Sequence, residues 1–310
     1  MQDTELEGAA VEVRTGRGRS AVALGVRTGL VLAVAAGSTL AGGVAAEAKS
    51  TVPTSSSDLQ IVGHRGGDDY GTVNSLSTLL HALSISDGIE FDVMFTKDHR
   101  TVVLHDALLE TTTTNCHGDV ANITYAKLRK CKTQDGSRVP NIYEVLKPLA
   151  KAHKQAYVHV KVADTQSEAN KVIRAINKYH LNDGKTVTTI ASNTSILYRL
   201  KKAGSHRRGL VFNDPKYWNA NYSVLVPYNV TVTPSLVRKA QQNGRFVVGV
   251  EGRPISIADV PALHLNGFMA MNLSRALLKL EGALADVNDQ LNKLTNPAGS
   301  GDTATGTGGA

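Results

Sequence analysis

Seven residues stand out by type and spacing. His64 and Arg65 close the apolar run in "IVGHRGG", Glu90 and Asp92 alternate within "GIEFDV", His105 follows "TVVL", and His159 and Lys161 alternate within "AYVHVKV". Two imidazoles that titrate near neutrality can share proton transfers as base and acid. In an extended chain Glu90 and Asp92 face the same side, and two buried carboxylates side by side repel unless a cation or a proton lies between them. A hard divalent cation is the simplest remedy; an ordinary ion pair, with Arg65 as partner, is the alternative. Arg65 and Lys161 suit an anionic group that accumulates charge during a reaction.

Strand-length apolar runs must carry these residues. They are expected at Leu59–His64, Gly88–Met94, Gln155–Lys161, Thr186–Ala191, Arg208–Val211, Val224–Val230, Phe246–Val250 and Gly267–Met271, with helical patterns between most of them. The helices are expected at Val73–Ser84, Asn141–His153, Ser167–Tyr179, Ser192–Ala203, Thr233–Asn243, Ile257–His264 and Arg275–Leu291. Alternating strands and helices over residues 49–295 point to an α/β fold, a (β/α)8 TIM barrel, with a doubly wound open sheet as the alternative. The pattern breaks after the second strand. There "TVVLHD", a Thr-rich turn, a cysteine loop and "TYAKLRK" suggest a small insertion, about residues 106–139, on the face where barrel enzymes carry their chemistry.

The motifs resemble a known family. "GHRGG", "N-S" at Asn74-Ser75, "GIEFDVMFTKDHRTVVLHDALLETTT" and "P-N-I-Y-E-V-L" from Pro140 are similar to the glycerophosphodiester phosphodiesterases, densely over residues 60–161 and loosely afterwards. The resemblance implies a TIM barrel with an insertion after the second strand, one divalent metal ion and cleavage of a phosphodiester. It further implies that His64 and His105 are the acid–base pair, with His64 assigned as base and His105 as acid. Glu90 and Asp92 would be metal ligands, and Arg65 and Lys161 would contact the substrate phosphate.

Three departures from that pattern bear on the site. His159 stands where the family has a glutamate ligand; a histidine there removes one charge and softens the site. That favours a borderline metal if His159 is a ligand; Ca²⁺ or Mg²⁺ is otherwise expected, and a His159 that contacts nothing would leave a weakened metal site. Val73 replaces a glutamate before Asn74. The seventh barrel strand, "FVVGVEGRPIS", lacks the family's Trp-Thr; Glu251 and Arg253 are candidate substitutes, with structural surface roles expected for both. The expected activity is metal-dependent hydrolysis of glycerophosphodiesters to an alcohol and glycerol 3-phosphate. Two alternatives are phospholipase-D-like cleavage of lysophospholipids or sphingolipids, and a catalytically weakened phosphate-binding protein.

The rest of the chain bounds the setting. Of 310 residues, 34 are Lys or Arg and 27 Asp or Glu, a formal charge of +7 that favours anionic partners. No dense basic block interleaved with aromatic residues occurs, so nucleic acid is not an expected partner. Substrate is expected to be a small glycerophosphodiester or a lysolipid, with membrane contact at most peripheral; nothing in the sequence bears on oligomeric state. Residues 1–48 carry Arg14, Arg17, Arg19 and Arg27, then a run diluted by Gly, Ser and Thr that ends at Ala46-Glu47-Ala48. This predicts an export signal cleaved near Ala48 and a secreted protein, an uncleaved anchor being the alternative. In an exported chain Cys116 and Cys131 are expected to form a disulfide. Residues 296–310, rich in Gly, Thr and Ala, are expected to be a flexible tail.

Overall fold

The computed structural model describes residues 59–280 and 282. The expected export signal at residues 1–48, the tail at residues 296–310 and the far end of the last expected helix lie outside them.

The chain runs β1 (Gln60–Gly63), α1 (Leu76–Ile85), β2 (Gly88–Phe95), β3 (Thr101–Val103), α2 (Tyr125–Leu128), α3 (Ile142–Ala152), β4 (Gln155–Val160), α4 (Gln166–Lys178) and β5 (Val187–Ala191). It continues through α5 (Thr194–Lys202), β6 (Arg208–Phe212), β7 (Val224–Pro227), α6 (Pro234–Gln242), β8 (Phe246–Val250), α7 (Val260–Leu263) and β9 (Gly267–Ala270), after which residues 273–280 are helical. Eight strands pair in parallel around a ring, and β1 closes it by pairing with both β2 and β9. The ninth, β3, lies antiparallel on the outer end of β2, with Val93 opposite Val103. This is the (β/α)8 barrel that the alternation predicted; a closed ring excludes the open sheet.

Strand alternation divides the core in two. Side chains pointing outward, among them Ile89, Phe91, Val93, Val158 and Val160, pack with the helices into the larger cluster. Those pointing inward, Val62, Tyr157, Ile190, Val224, Val226, Val248, Val250 and Met269, fill the barrel itself. The barrel is therefore a mostly apolar plug beneath a layer that carries the charged groups.

Local signals set most boundaries. Asn141 and Thr165 each form a capping box with the glutamate three residues on, Glu144 and Glu168. Thr233 caps α6 by accepting from Leu236 N, and Pro234 occupies its first turn. Three elements are shorter than expected. Helix α1 starts at Leu76, not Val73, because Asn74 takes a left-handed φ of 61° and Ser75 becomes the cap. Strand β7 stops at Pro227, since Asn229 is left-handed at φ 54°. The helix expected over Ile257–His264 is a 3-10 turn followed by the four-residue α7.

Residues between β3 and α3 form the insertion, with its own small core of Leu104, Leu109, Val120, Leu128 and Val139. Cys116 and Cys131 are joined, their Cα atoms 5.6 Å apart. Closing a loop of this length contributes about 3 kcal/mol by restricting the unfolded chain.

Candidate active site

The inward-facing positions one layer above the plug hold the candidate residues. His64 lies two residues beyond Val62 in β1, and His159 two beyond Tyr157 in β4, so each continues a column that is apolar below. Glu90 and Asp92 alternate in β2, and the sheet register sets Glu90 beside Tyr157 and Asp92 beside His159. Lys161 follows at the end of β4.

The His64-Arg65-Gly66 turn explains the composition of "HRGG". Arg65, Gly66 and Gly67 all have positive φ, at 55°, 85° and 91°. A Cβ at Gly66 would lie 3.0 Å from Leu79 N and from Thr78 C in α1, so glycine meets both demands there. The tight turn aims the Arg65 backbone N–H at Glu90 Oε2, 2.9 Å away, while the Arg65 side chain lies against Asp92, Nε to Oδ2 3.3 Å.

Asp92 is the most heavily partnered acid of the site. Asn74 Nδ2 donates to Asp92 Oδ2 at 3.0 Å, and Asp92 N donates back to Asn74 Oδ1 at 3.1 Å. His159 Nδ1 lies 2.9 Å from Asp92 Oδ1 and 3.7 Å from Glu90 Oε1. On the other side Lys161 Nζ is 4.0 Å from Asp92 Oδ1 and 3.1 Å from His105 Nε2. Asp106 Oδ1 accepts from His105 Nδ1 at 2.8 Å and so fixes which nitrogen of that ring faces the site. His64 Nε2 completes the ring of groups, 3.8 Å from Glu90 Oε2.

The electrostatics follow from burial. Glu90 and Asp92 are both 1% exposed. Burial, then the adjacent Asp92 charge, pushes the Glu90 carboxyl well above its ordinary 4.5. Burial also pushes Asp92 upward, but the close approach of His159 and the positive charge of Arg65 outweigh it and hold Asp92 below its usual range. His64 is lowered to about 3, by burial first and by Arg65 second. His105 is also lowered, chiefly by burial, against the pull of Asp92.

These residues fit a metal ion. Glu90, Asp92 and His159 each offer a ligand atom, all within 4.8 Å of one another. Glu90 Oε1 and Asp92 Oδ1 are buried without an aligned hydrogen-bond partner, despite the short approach of His159 to the latter. Two carboxylate oxygens unpartnered in the same buried layer are suited to a shared cation.

Every residue expected at the site from the sequence is thus in one cluster. Two were missed. Asn74 was noted only as part of a motif; its left-handed φ and 3% exposure belong to a residue held in place to grip Asp92. Asp106 is the orienting partner of His105, and the "HD" pair was its only signal. Glu251, largely buried and not at the surface, accepts from Met271 N and Asn272 N and pairs with Arg275, while Arg253 lies over the Tyr228 ring.

Comparison with known proteins agrees with this geometry. The sequence profile of the glycerophosphoryl diester phosphodiesterase family matches residues 64–250. A glycerophosphodiester phosphodiesterase of Caldanaerobacter subterraneus subsp. tengcongensis is 26% identical over 201 residues, covering 59% of this chain and 82% of that protein. Among solved structures, a glycerophosphodiester phosphodiesterase of Parabacteroides distasonis superposes with a TM-score of 0.62 at 17% identity, over 73% of this chain and 98% of that one. An Oleispira antarctica phosphodiesterase, solved with the product sn-glycerol-3-phosphate, gives a TM-score of 0.62 at 16% identity, over 70% of this chain and 96% of that one. At those identities the solved structures speak for the barrel, and the sequence profile, which spans more than half of the chain, speaks for the family. The chain belongs to the glycerophosphoryl diester phosphodiesterase family of hydrolases.

Proposed function

We propose that the protein hydrolyses glycerophosphodiesters to an alcohol and glycerol 3-phosphate, using a divalent metal ion and the two histidines. The observation that carries this reading is the single cluster in which two imidazoles, two buried acids, Arg65 and Lys161 surround one small region. Glu90, Asp92 and His159 would hold the ion, which when bound supplies Lewis-acid neutralisation of the phosphate. Arg65 and Lys161 meet the phosphate's remaining negative charge, which otherwise repels an attacking oxygen.

The hydrogen bonds favour an assignment of the proton transfers. Asp106 sits on His105 Nδ1 and would stabilise an imidazolium formed there, against the burial and the Arg65 and Lys161 charges that lower this ring, which suits the acid that protonates the departing alkoxide. Among the described residues His64 Nδ1 has no hydrogen-bond partner, and the ring suits the base that takes a proton from the nucleophile. Release of glycerol 3-phosphate from glycerophosphocholine tests the reading. Turnover is expected to stop with a chelator and to fall about 10²–10⁴-fold in His64→Ala and in His105→Ala. Undiminished turnover in either variant, or choline release from intact lysolipid alone, contradicts it.

We further propose that the chain is exported. The Cys116–Cys131 bond is at home in an oxidising compartment. Mass measurement of the protein recovered from culture medium tests this, with a mature chain beginning near Lys49 as the expected result.

A further inference from the structure

We infer that the metal site is selective for a borderline divalent ion of the Co²⁺ or Zn²⁺ kind, because His159 supplies a nitrogen ligand through Nδ1. The inference rests on the metal-dependent reading above and deepens it.

Geometry identifies the ligand atom. His159 Nδ1 is the ring nitrogen that faces both acids, 2.9 Å from Asp92 Oδ1 and 3.7 Å from Glu90 Oε1. These three atoms come from neighbouring, register-locked strands, with Asp92 directly opposite His159. Glu90 and Asp92 are nearly fully buried, and each keeps an oxygen with no aligned hydrogen bond. The opposite ring nitrogen, Nε2, is itself buried and unpartnered, so no bond holds the ring in another orientation. Tyr157, one layer below in the barrel plug, underlies the column that carries the ring.

Donor chemistry then selects the ion. Calcium takes six to eight oxygen ligands and magnesium demands an octahedron of oxygens; neither gains from an imidazole. Imidazole nitrogen suits the later divalent first-row ions. Two carboxylates and one imidazole also leave the loaded site one negative charge poorer than three carboxylates would, which removes part of the electrostatic attraction that a hard cation relies on.

An ordinary ion pair is the competing explanation. A protonated His159 held between Asp92 and Glu90 would then occupy the place of the cation, and no metal would bind through the ring.

Because most protein sites favour the later ions to some degree, the decisive quantity is the change in preference on exchanging the ligand. Affinities of the metal-stripped full chain for Co²⁺, Mn²⁺, Ca²⁺ and Mg²⁺ would be measured by competition with a chromophoric chelator, for wild type and for His159→Glu. The expected result is a Co²⁺-over-Ca²⁺ preference at least tenfold greater in wild type than in the variant. An unchanged preference overturns the inference. A second readout needs no variant. Co²⁺-loaded wild type should display a hyperfine-shifted, exchangeable imidazole N–H proton resonance from the ring. A loaded protein without it, or a wild type that binds none of these ions, overturns the inference equally. Neither readout uses turnover. An active enzyme whose Co²⁺-loaded form lacks the resonance would end this inference and leave the proposed reaction standing. Cobalt bound through His159 without glycerol 3-phosphate release would do the reverse.

Discussion

Asn74 shows how much of the site depends on a residue that does no chemistry of its own. It donates one hydrogen bond to the Asp92 carboxylate and accepts another from the Asp92 backbone, from a left-handed conformation that few side chains tolerate. Such a partner orients a metal-binding acid and tunes its basicity. Asn74→Ala should therefore weaken divalent-ion affinity about 10–100-fold, measured by calorimetric titration. The fold should survive, because the lost bonds are worth only about 1–3 kcal/mol. Asn74→Asp is expected to be worse than alanine, since a third carboxylate would be driven into a layer that already holds two.

At the scale of elements, the insertion is fastened to the first barrel loop by Asp135. Its backbone N–H donates to Thr72 Oγ1 at 3.0 Å, and Ser77 Oγ donates to its Oδ2 at 3.1 Å. Ser137 N and Oγ donate to its Oδ1 at 3.2 and 2.7 Å. Burial tends to raise this carboxyl, but the bonds from Thr133 and Ser137 prevail and hold it below its ordinary 3.8. A carboxyl lowered in the folded state contributes stability that is complete above the unfolded value and is lost as pH falls below it. The contact should thus be intact at pH 6 and should loosen progressively below about pH 3.8. Amide exchange in residues 71–78 and 133–138 is expected to accelerate there before the barrel strands respond. Asp135→Asn should produce the faster exchange already at pH 6, since the amide cannot replace a carboxylate that accepts from four donors at once. Because the same loop carries Asn74, the latch also steadies the Asp92 clamp.

For the whole molecule, the barrel plug decides how firmly the site is seated. Tyr157 is fully buried in it, with its hydroxyl raised to about 12 by burial. The hydroxyl makes one long contact to Gln60 Oε1, at 3.4 Å. Tyr157→Phe is therefore expected to change stability by less than about 1 kcal/mol, whereas Tyr157→Ala should cost about 3–5 kcal/mol and open a cavity beneath His159. Urea denaturation of the two variants measures the difference. A large loss in the phenylalanine variant would mean that the hydroxyl, and not the ring volume, supports the layer above.

Much of this was legible in the linear chain because the barrel repeats one local rule. Alternation within "GIEFDV" and "AYVHVKV" assigns Glu90, Asp92, His159 and Lys161 to one face whatever the neighbouring strands are, and capping residues such as Asn141 and Thr165 mark helix starts without reference to tertiary contacts. Short elements were harder. The end of β7 and the break between the Ile257–Asp259 turn and α7 depend on left-handed residues and local packing, which periodicity does not encode. What only the tertiary structure decided is which face looks inward and which atoms meet. Ring closure between β1 and β9 turned the two-residue period into an apolar plug below and a polar layer above. The sheet register then set His159 beside Asp92, and the turn at Arg65 aimed a backbone N–H at Glu90. These are contacts between residues 25 to 207 positions apart. A local pattern fixes the direction of a side chain relative to its own strand, but its partners are fixed only when the strands are brought into register.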